Sequence, residues 1–251
     1  MSIHLKSWLV RSYHFLRYRN ARQLSGTGVS FEHFRELNRA WLTNSGIRTI
    51  LDVGANKGQF AQLARKVFPA ARIHSFEPLP DCFSEMKVAL KGDNNFFAYN
   101  KALGKEPSFL DFYRSSHSPS SSFLQMEDLH KQAFPESKGG QEKEAIRVEV
   151  DTLDHFYETT KPEVNILLKI DVQGFESEVL AGASSMLEQV SVVIIEMSIL
   201  KLYKDQPLFH DVYTTMYNQG FRYHGNLSQM LHPATQEVVQ IDAIFVNERR
   251  D

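Results

Sequence analysis

The chain holds a single cysteine, Cys82, among 251 residues, which rules out an internal disulfide and fits a reducing compartment. No apolar run approaches the roughly 20 residues that a bilayer span requires. The first residues carry charges but no continuous hydrophobic segment of the secretory kind. An excess of one charge is lacking as well. Against 30 Asp and Glu stand 28 Lys and Arg, a formal net charge of −2, so no global attraction toward nucleic acid operates. Glycine is sparse at 13 residues. These absences describe a cytoplasmic protein without spans, staples or a polyanionic partner.

What is present is ordinary globular composition, 42% hydrophobic and 23% charged, enough for a sizeable core in one large α/β domain with an extra arm. The arm is the N-terminal 1–45. Its first 24 residues carry Lys6, Arg11, Arg17, Arg19 and Arg22 and no acid, while Leu5, Trp8, Leu9 and Leu16 fall near one helical face. A basic amphipathic helix follows, packed on the domain or on a second subunit of a homo-oligomer. Peripheral attachment to an anionic membrane is the sharper reading, which one basic arm supports only weakly.

The second unit, 46–251, alternates strand and helix. Strands are predicted at 49–53, 71–76, 95–102, 165–170 and 190–195, the last two almost purely apolar, as in strands covered on both faces. Helices are predicted at 58–68, 80–90, from near Gly174, and at 208–219, where Gly220 suits a C-cap. Residues 222–224 and 238–246 suggest a closing pair of strands. An insertion of about 104–160 contains FLDFYR, SSHSPSSSF, a charged loop near 135–144 and the alternating IRVEV, read as a small β-rich excursion with a mobile loop. The fold class is therefore α/β: a doubly wound, Rossmann-like, mostly parallel sheet with a β-rich insertion after the third strand.

Four apolar runs close on an acid: Asp52, Glu77, Asp171 and Glu196. In an open parallel sheet the carboxyl ends of the strands face the ligand crevice. One such acid alone suits a cap on the following helix; four together point to a site. The first turn, Gly54-Ala55-Asn56-Lys57-Gly58, matches the dinucleotide G-x-G-x-x-G poorly and lacks the Lys-Ser/Thr of a phosphate-cradling loop. A ligand with ribose hydroxyls and a cationic group but no phosphate suits it, with Glu77 accepting two hydrogen bonds from a ribose diol. S-adenosylmethionine has that chemistry.

The segments LDVGANKGQF (51–60), SFEP (75–78) and LLKIDVQGFESEVLAGA (167–183), with the trailing IIEMS and IDAIFV, resemble the FkbM family of S-adenosylmethionine-dependent methyltransferases, from about Ile47 to Val246. The resemblance implies a class I methyltransferase sheet and O-methylation of a hydroxyl on a saccharide or saccharide-bearing natural product. It implies that Asp52, Gly54, Asn56 and Gly58 line the methionine portion of the cofactor, that Glu77 holds the ribose, and that Lys101 and Ala102, ending the third strand, lie beside the adenine. Many relatives carry an acid at the position of Lys101, so adenine recognition would use backbone groups. Asp171 and Glu176 would face the transferred methyl and the acceptor.

Methyl transfer to an alcohol needs a group to take the hydroxyl proton, and Asp171 is the first candidate; its bland role would be to orient the Gln173-Gly174 turn. Glu176, in a helix's first turn, is stabilised by the dipole with no chemistry needed. A divalent metal on Asp171, Glu196 and a histidine is an alternative that no His/Asp/Glu spacing demands, and no metal ligand is named. His117, His210, His224 and His232 are conceivable bases, each more readily a surface or packing residue. Phe112, Tyr113, Phe123, Tyr203 and Tyr223 are candidates to stack on a sugar ring. Two other functions compete: a nicotinamide-dependent oxidoreductase or epimerase, which wants a phosphate-friendly turn, and a non-catalytic cofactor-binding module that recruits a partner through the basic arm, against which the presence of Asp52 and Glu77 weighs.

Overall fold

The runs TILDV and ILLKI are buried at every position, and that burial sets the layout: they pair in parallel at the centre of a sheet covered on both faces. The computed structural model describes residues 31–113 and 145–250. Its elements run α1 (Phe31–Leu37), α2 (Ala40–Thr43), β1 (Thr49–Val53), α3 (Gln59–Val67), β2 (Arg72–Phe76), α4 (Pro80–Ala89), β3 (Phe96–Tyr99), β4 (Ala102–Leu103) and β5 (Ser108–Tyr113). After the excursion come β6 (Ala145–Asp151), α5 (Leu153–Thr160), β7 (Ile166–Ile170), α6 (Glu176–Ala181), α7 (Ser184–Leu187), β8 (Val190–Ser198), α8 (Phe209–Asn218), β9 (Phe221–Leu231) and β10 (Val238–Asn247).

The main sheet has seven strands in the order β3-β2-β1-β7-β8-β10-β9. Neighbours from β3 to β8 are parallel, and β10 is antiparallel to both β8 and β9. It is the doubly wound, mostly parallel sheet that the alternating pattern predicts. The order reverses between β1 and β7, where such sheets open a crevice at their carboxyl ends.

Alternate residues of each strand go to opposite faces. One face buries Leu51, Val53, Leu168, Ile170, Val193 and Ile195. The other buries Ile50, Leu167, Val192 and Ile194 beneath α1 and α3, through Phe34, Leu37, Ala61 and Ala64. The register carries Asp52, Lys169 and Asp242 onto this second face. Residues 31–43, which the sequence places in the N-terminal arm, are thus two short helices seated on the sheet. The rest of the arm, 1–30, lies outside the described residues, as do the Ser-rich stretch and the 135–144 loop. Among the described residues no helix is long and apolar enough to cross a membrane.

Three expectations need correction. The third strand stops at Tyr99, because Asn100 turns the chain, its side chain donating to the carbonyls of Glu77 (2.9 Å) and Pro78 (3.0 Å). Ala102 then begins a strand of a second sheet, ordered β4-β6-β5, in which the alternating IRVEV is the central strand. Glu196 lies inside β8 rather than after it; β8 runs on to Ser198 because β10 pairs with it that far. The helix from Gly174 is two pieces, α6 and α7, broken at Gly182 and Ala183.

Gly182 joins the two sheets' connections: a Cβ there would come 2.0 Å from the Gly104 carbonyl oxygen. Gly182→Ala should therefore lose about 2–4 kcal/mol in urea denaturation. Gly92→Ala, at φ +89° with nothing within 4 Å, should lose only about 1 kcal/mol. Equal losses would contradict the packing described.

Candidate active site

The turn after β1 is pressed onto the end of β7. Gly54 has φ +76°, and a Cβ on it would sit 1.9 Å from the carbonyl oxygen of Asp171, so only glycine fits. Asn56 follows with φ +50°, and its N–H donates to Glu77 Oε2 at 2.8 Å. The other Glu77 oxygen accepts from the Leu79 N–H at 2.9 Å. Glu77 thus clasps two loops with one carboxylate, and each oxygen keeps a second lone pair. Burial pushes its pKa up to about 7, against the pull of the two N–H groups. Gly58, φ +81°, precedes α3 and lies against Met86 of α4, where a Cβ would meet Cγ at 2.9 Å.

Beneath the turn sits a residue to which the sequence reading gave no role. Lys169 is 9% exposed, and its ammonium reaches the Gly54 carbonyl (3.2 Å), Asp171 (3.2 Å) and Asp52 (3.5 Å), with the Phe60 ring 5.8 Å away. Burial lowers its pKa, but Asp171 and Asp52 more than offset this and hold it above the usual lysine range. Asp52, fully buried, takes a hydrogen bond from Ser75 (3.3 Å), and its Oδ1 has no hydrogen-bond partner among the described residues. Burial raises its pKa despite the attraction of Lys169. The sequence signal for Lys169 is a lone charge inside a buried strand.

Asp171 follows β7, two-thirds buried. Its Oδ1 accepts from the Gln173 side-chain amide at 2.9 Å, and the same amide nitrogen reaches both oxygens of Glu196 (3.0 and 2.8 Å). The Tyr203 hydroxyl donates to the Gln173 side-chain oxygen Oε1 at 2.8 Å. The turn-orienting role weighed for Asp171 belongs to Glu176, whose Oε1 accepts the N–H groups of Val172 (3.2 Å) and Gly174 (3.0 Å). Burial lifts Glu176 to about 7, against those same backbone bonds. Burial, with Asp171 and Glu176 nearby, raises Glu196 well above the carboxylate range. Asp242 on β10 pairs in register with Glu196, accepts from Ser228, and is raised by burial and by Asp171.

A cavity of about 280 Å³ opens over this face, lined by Gly54, Ala55, Asn56, Lys169, Asp171 and Asp242, with α1 and α3 forming its cover. The structure thus joins Gly54, Asn56 and Asp171 in one wall, with Asp52 beneath and Glu77 behind Asn56. Glu176, Glu196, Lys101 and Ala102 do not line it. Lys101 instead pairs with Glu149 (2.9 Å) and Asp151 (3.0 Å) on β6, and Ala102 is buried in the core of the second sheet. Among the described residues no group of three or more His, Cys, Asp or Glu is disposed to hold a metal ion.

Of the histidines considered, His224 packs on Trp41, His232 caps its own turn and His210 is exposed; His117 lies outside the described residues. Phe112 is buried in the second sheet, Tyr223 bonds Asn226, and Phe123 and the Tyr113 side chain lie outside the described residues. His33 and Phe60 line the cavity instead.

The family profile described as Methyltransferase FkbM domain matches residues 52–223. "Methyltransferase 1" of Beauveria bassiana (strain ARSEF 2860) is 29% identical over 181 residues, covering 68% of this chain and 71% of that protein. "Methyltransferase sdnD" of Sordaria araneosa is 30% identical over 172 residues, covering 59% and 65%. "2-O-methyltransferase NoeI" of Sinorhizobium fredii (strain NBRC 101917 / NGR234) is 26% identical over 160 residues, covering 62% and 66%. The chain spans just under two thirds of the last two relatives.

The raised carboxyls carry a pH signature. Glu77 and Glu176 move from 4.5 to about 7, so between those values the folded state holds protons that the unfolded state has released. Their contribution to stability is then full below about pH 4.5 and is lost as pH rises through 7. Glu176→Gln should flatten this fall, by on the order of 3 kcal/mol at most, in urea titrations from pH 5 to 8. An unchanged slope in the variant would contradict the burial of an ionisable carboxyl there.

Proposed function

The chain belongs to the FkbM family of S-adenosylmethionine-dependent methyltransferases, and from that premise we propose that it methylates a hydroxyl of a saccharide or of a saccharide-bearing natural product. The observation that carries the cofactor half is the clasp of Glu77 on the Asn56 N–H beside the Gly54 turn. A buried carboxylate with spare lone pairs suits a ribose diol, and the cradle at Gly54 would be filled by any Cβ. Phosphate has no welcome there: among the described residues the lysine of the cavity wall, Lys169, is already matched by Asp52 and Asp171. That speaks against the nicotinamide-dependent reading.

Gly54, Ala55 and Asn56 would hold the methionyl portion, with Glu77 on the ribose beyond Asn56. Adenine recognition falls to groups other than the Lys101 side chain, which is committed to β6. When bound, S-adenosylmethionine supplies an electrophilic methyl, so that a new O–C bond forms as the C–S bond breaks and its electron pair returns to sulfur. The acceptor's hydroxyl proton goes to Asp171, the carboxylate that lines the cavity at the switch point of the sheet. Lys169 and the Gln173 amide hold that carboxylate from two sides, fixing where it can receive the proton. Transfer to oxygen is supported by one relative's name, 2-O-methyltransferase.

Calorimetry with S-adenosylhomocysteine and a methyl-transfer assay separate the two roles. Glu77→Ala should weaken binding of the nucleoside by roughly tenfold or more, through the lost hydrogen bonds to its ribose. Asp171→Ala should bind it within a few-fold of the parent yet transfer methyl about 100-fold or more slowly. Wild-type turnover by Asp171→Ala would remove Asp171 from the base role.

A further inference from the structure

The cavity has two ends. At one lie Gly54, Ala55 and Asn56; at the other lie His33 of α1, Leu227 of β9 and Asp242 of β10, with Leu63 and Ile194 as an apolar floor. From β1 across β7 and β8 to β10 is three strand steps, about 14 Å at roughly 4.8 Å each. A methionyl tail held at the turn end leaves the far end for another molecule. The family profile spans 52–223, so the turn end comes from the matched segment and His33, Leu227 and Asp242 come from outside it. A surface that differs in origin from the cofactor's cradle suits the molecule that differs between enzymes of one family.

The chemistry of the far end selects a class. Asp171 and Asp242 both line the cavity, and Glu196 stands behind them through Gln173. Among the described residues the only ammonium in the wall, that of Lys169, is shared between Asp52 and Asp171. Among the described residues Asp242 receives one hydrogen bond, from Ser228 onto Oδ2, leaving acceptor capacity unfilled. An anionic guest would face like charges at short range in a poorly solvated space, whereas a hydroxyl or ammonium would find acceptors.

We propose that the His33–Leu227–Asp242 end is the acceptor subsite, and that it takes a neutral or amino-bearing polyol, one of whose donors bonds Asp242 while its apolar face lies on Leu227 and Ile194. The inference rests on the methyl-transfer reading above. It excludes uronic acids and phosphorylated sugars as acceptors at this position.

The test uses the full chain saturated with S-adenosylhomocysteine and saturation-transfer difference NMR with three probes: methyl α-D-glucopyranoside, D-glucosamine and D-glucuronate. The first two should receive saturation and glucuronate should not. Asp242→Asn should keep its S-adenosylhomocysteine affinity and weaken the neutral probe roughly tenfold, as for a lost hydrogen bond to a charged group. Equal signals from glucuronate, silence from all three probes, or an unaltered neutral probe in Asp242→Asn overturns the subsite. If that variant does not fold, the contrast between neutral and anionic probes on the parent chain still decides. A chain that binds no S-adenosylhomocysteine in a prior titration overturns the cofactor reading as well, and so tells the two failures apart.

Discussion

The site is organised around one buried cation. Lys169 stands in the middle of a strand that is buried at every position, and an unpaired ammonium there would be prohibitively unstable. It is tolerable because three oxygens close on it: Asp52 from the neighbouring strand, Asp171 from its own strand end, and the Gly54 carbonyl from the turn. Removing Lys169 would strand the fully buried Asp52, so the pair β1–β7 and the turn between β1 and α3 are locked together. The same contacts set the floor of the cavity and orient Asp171. The geometry of the crevice is thus a consequence of satisfying Lys169.

One cation does not balance the acids that surround it. Asp52, Asp171, Glu196 and Asp242 all bear on Lys169, and Glu176 lies close behind. The surplus is absorbed in two ways. Glu77, Glu176 and Glu196 are driven toward their neutral forms by burial, which removes charge rather than pairing it. Gln173 then places an uncharged amide between Asp171 and Glu196, held in turn by the fully buried Tyr203. Asp171 is thereby kept in place by a cation and an amide without its carboxylate being consumed.

Much of this was legible in the residues. The apolar runs 49–53, 71–76 and 165–170, the glycine turn, and the acids 52, 77 and 171 announced the sheet and its crevice because period and composition act locally. What escaped depends on register. Asp52 and Lys169 become neighbours only because β1 pairs with a strand more than 100 residues away, and Asp242 meets Glu196 only through β10. No window of sequence contains those pairings. The division of labour between Asp171 and Glu176 was hidden for the opposite reason. Both lie within one short turn, where a side chain can fold back on the backbone or point into a cavity, and spacing alone does not distinguish them. Lys101 misled because the strand stops at Tyr99, three residues early, where Asn100 turns the chain and hands the lysine to β6.

The cover of the cavity connects these points to specificity. Helix α1 reaches the sheet through Phe34 and Leu37, which are almost wholly buried in the same core as Ile50 and Ile194. That anchorage brings His33 over the far end of the cavity, opposite Asp242. Changing residues of α1 or of the β9–β10 pair alters the far wall while Lys169, Gly54 and Glu77 keep their mutual contacts. A cradle fixed by a buried ion pair and a cover fixed by ordinary hydrophobic packing can therefore diverge independently. The first does not tolerate substitutions of Lys169, whose loss leaves buried carboxylates unmatched, or of Gly54, where a Cβ has no room. The second tolerates them, because apolar contacts repack at modest cost. That asymmetry follows from the energetics of the two interactions, and it separates the turn end of the cavity, proposed for the cofactor, from the far end proposed for the acceptor.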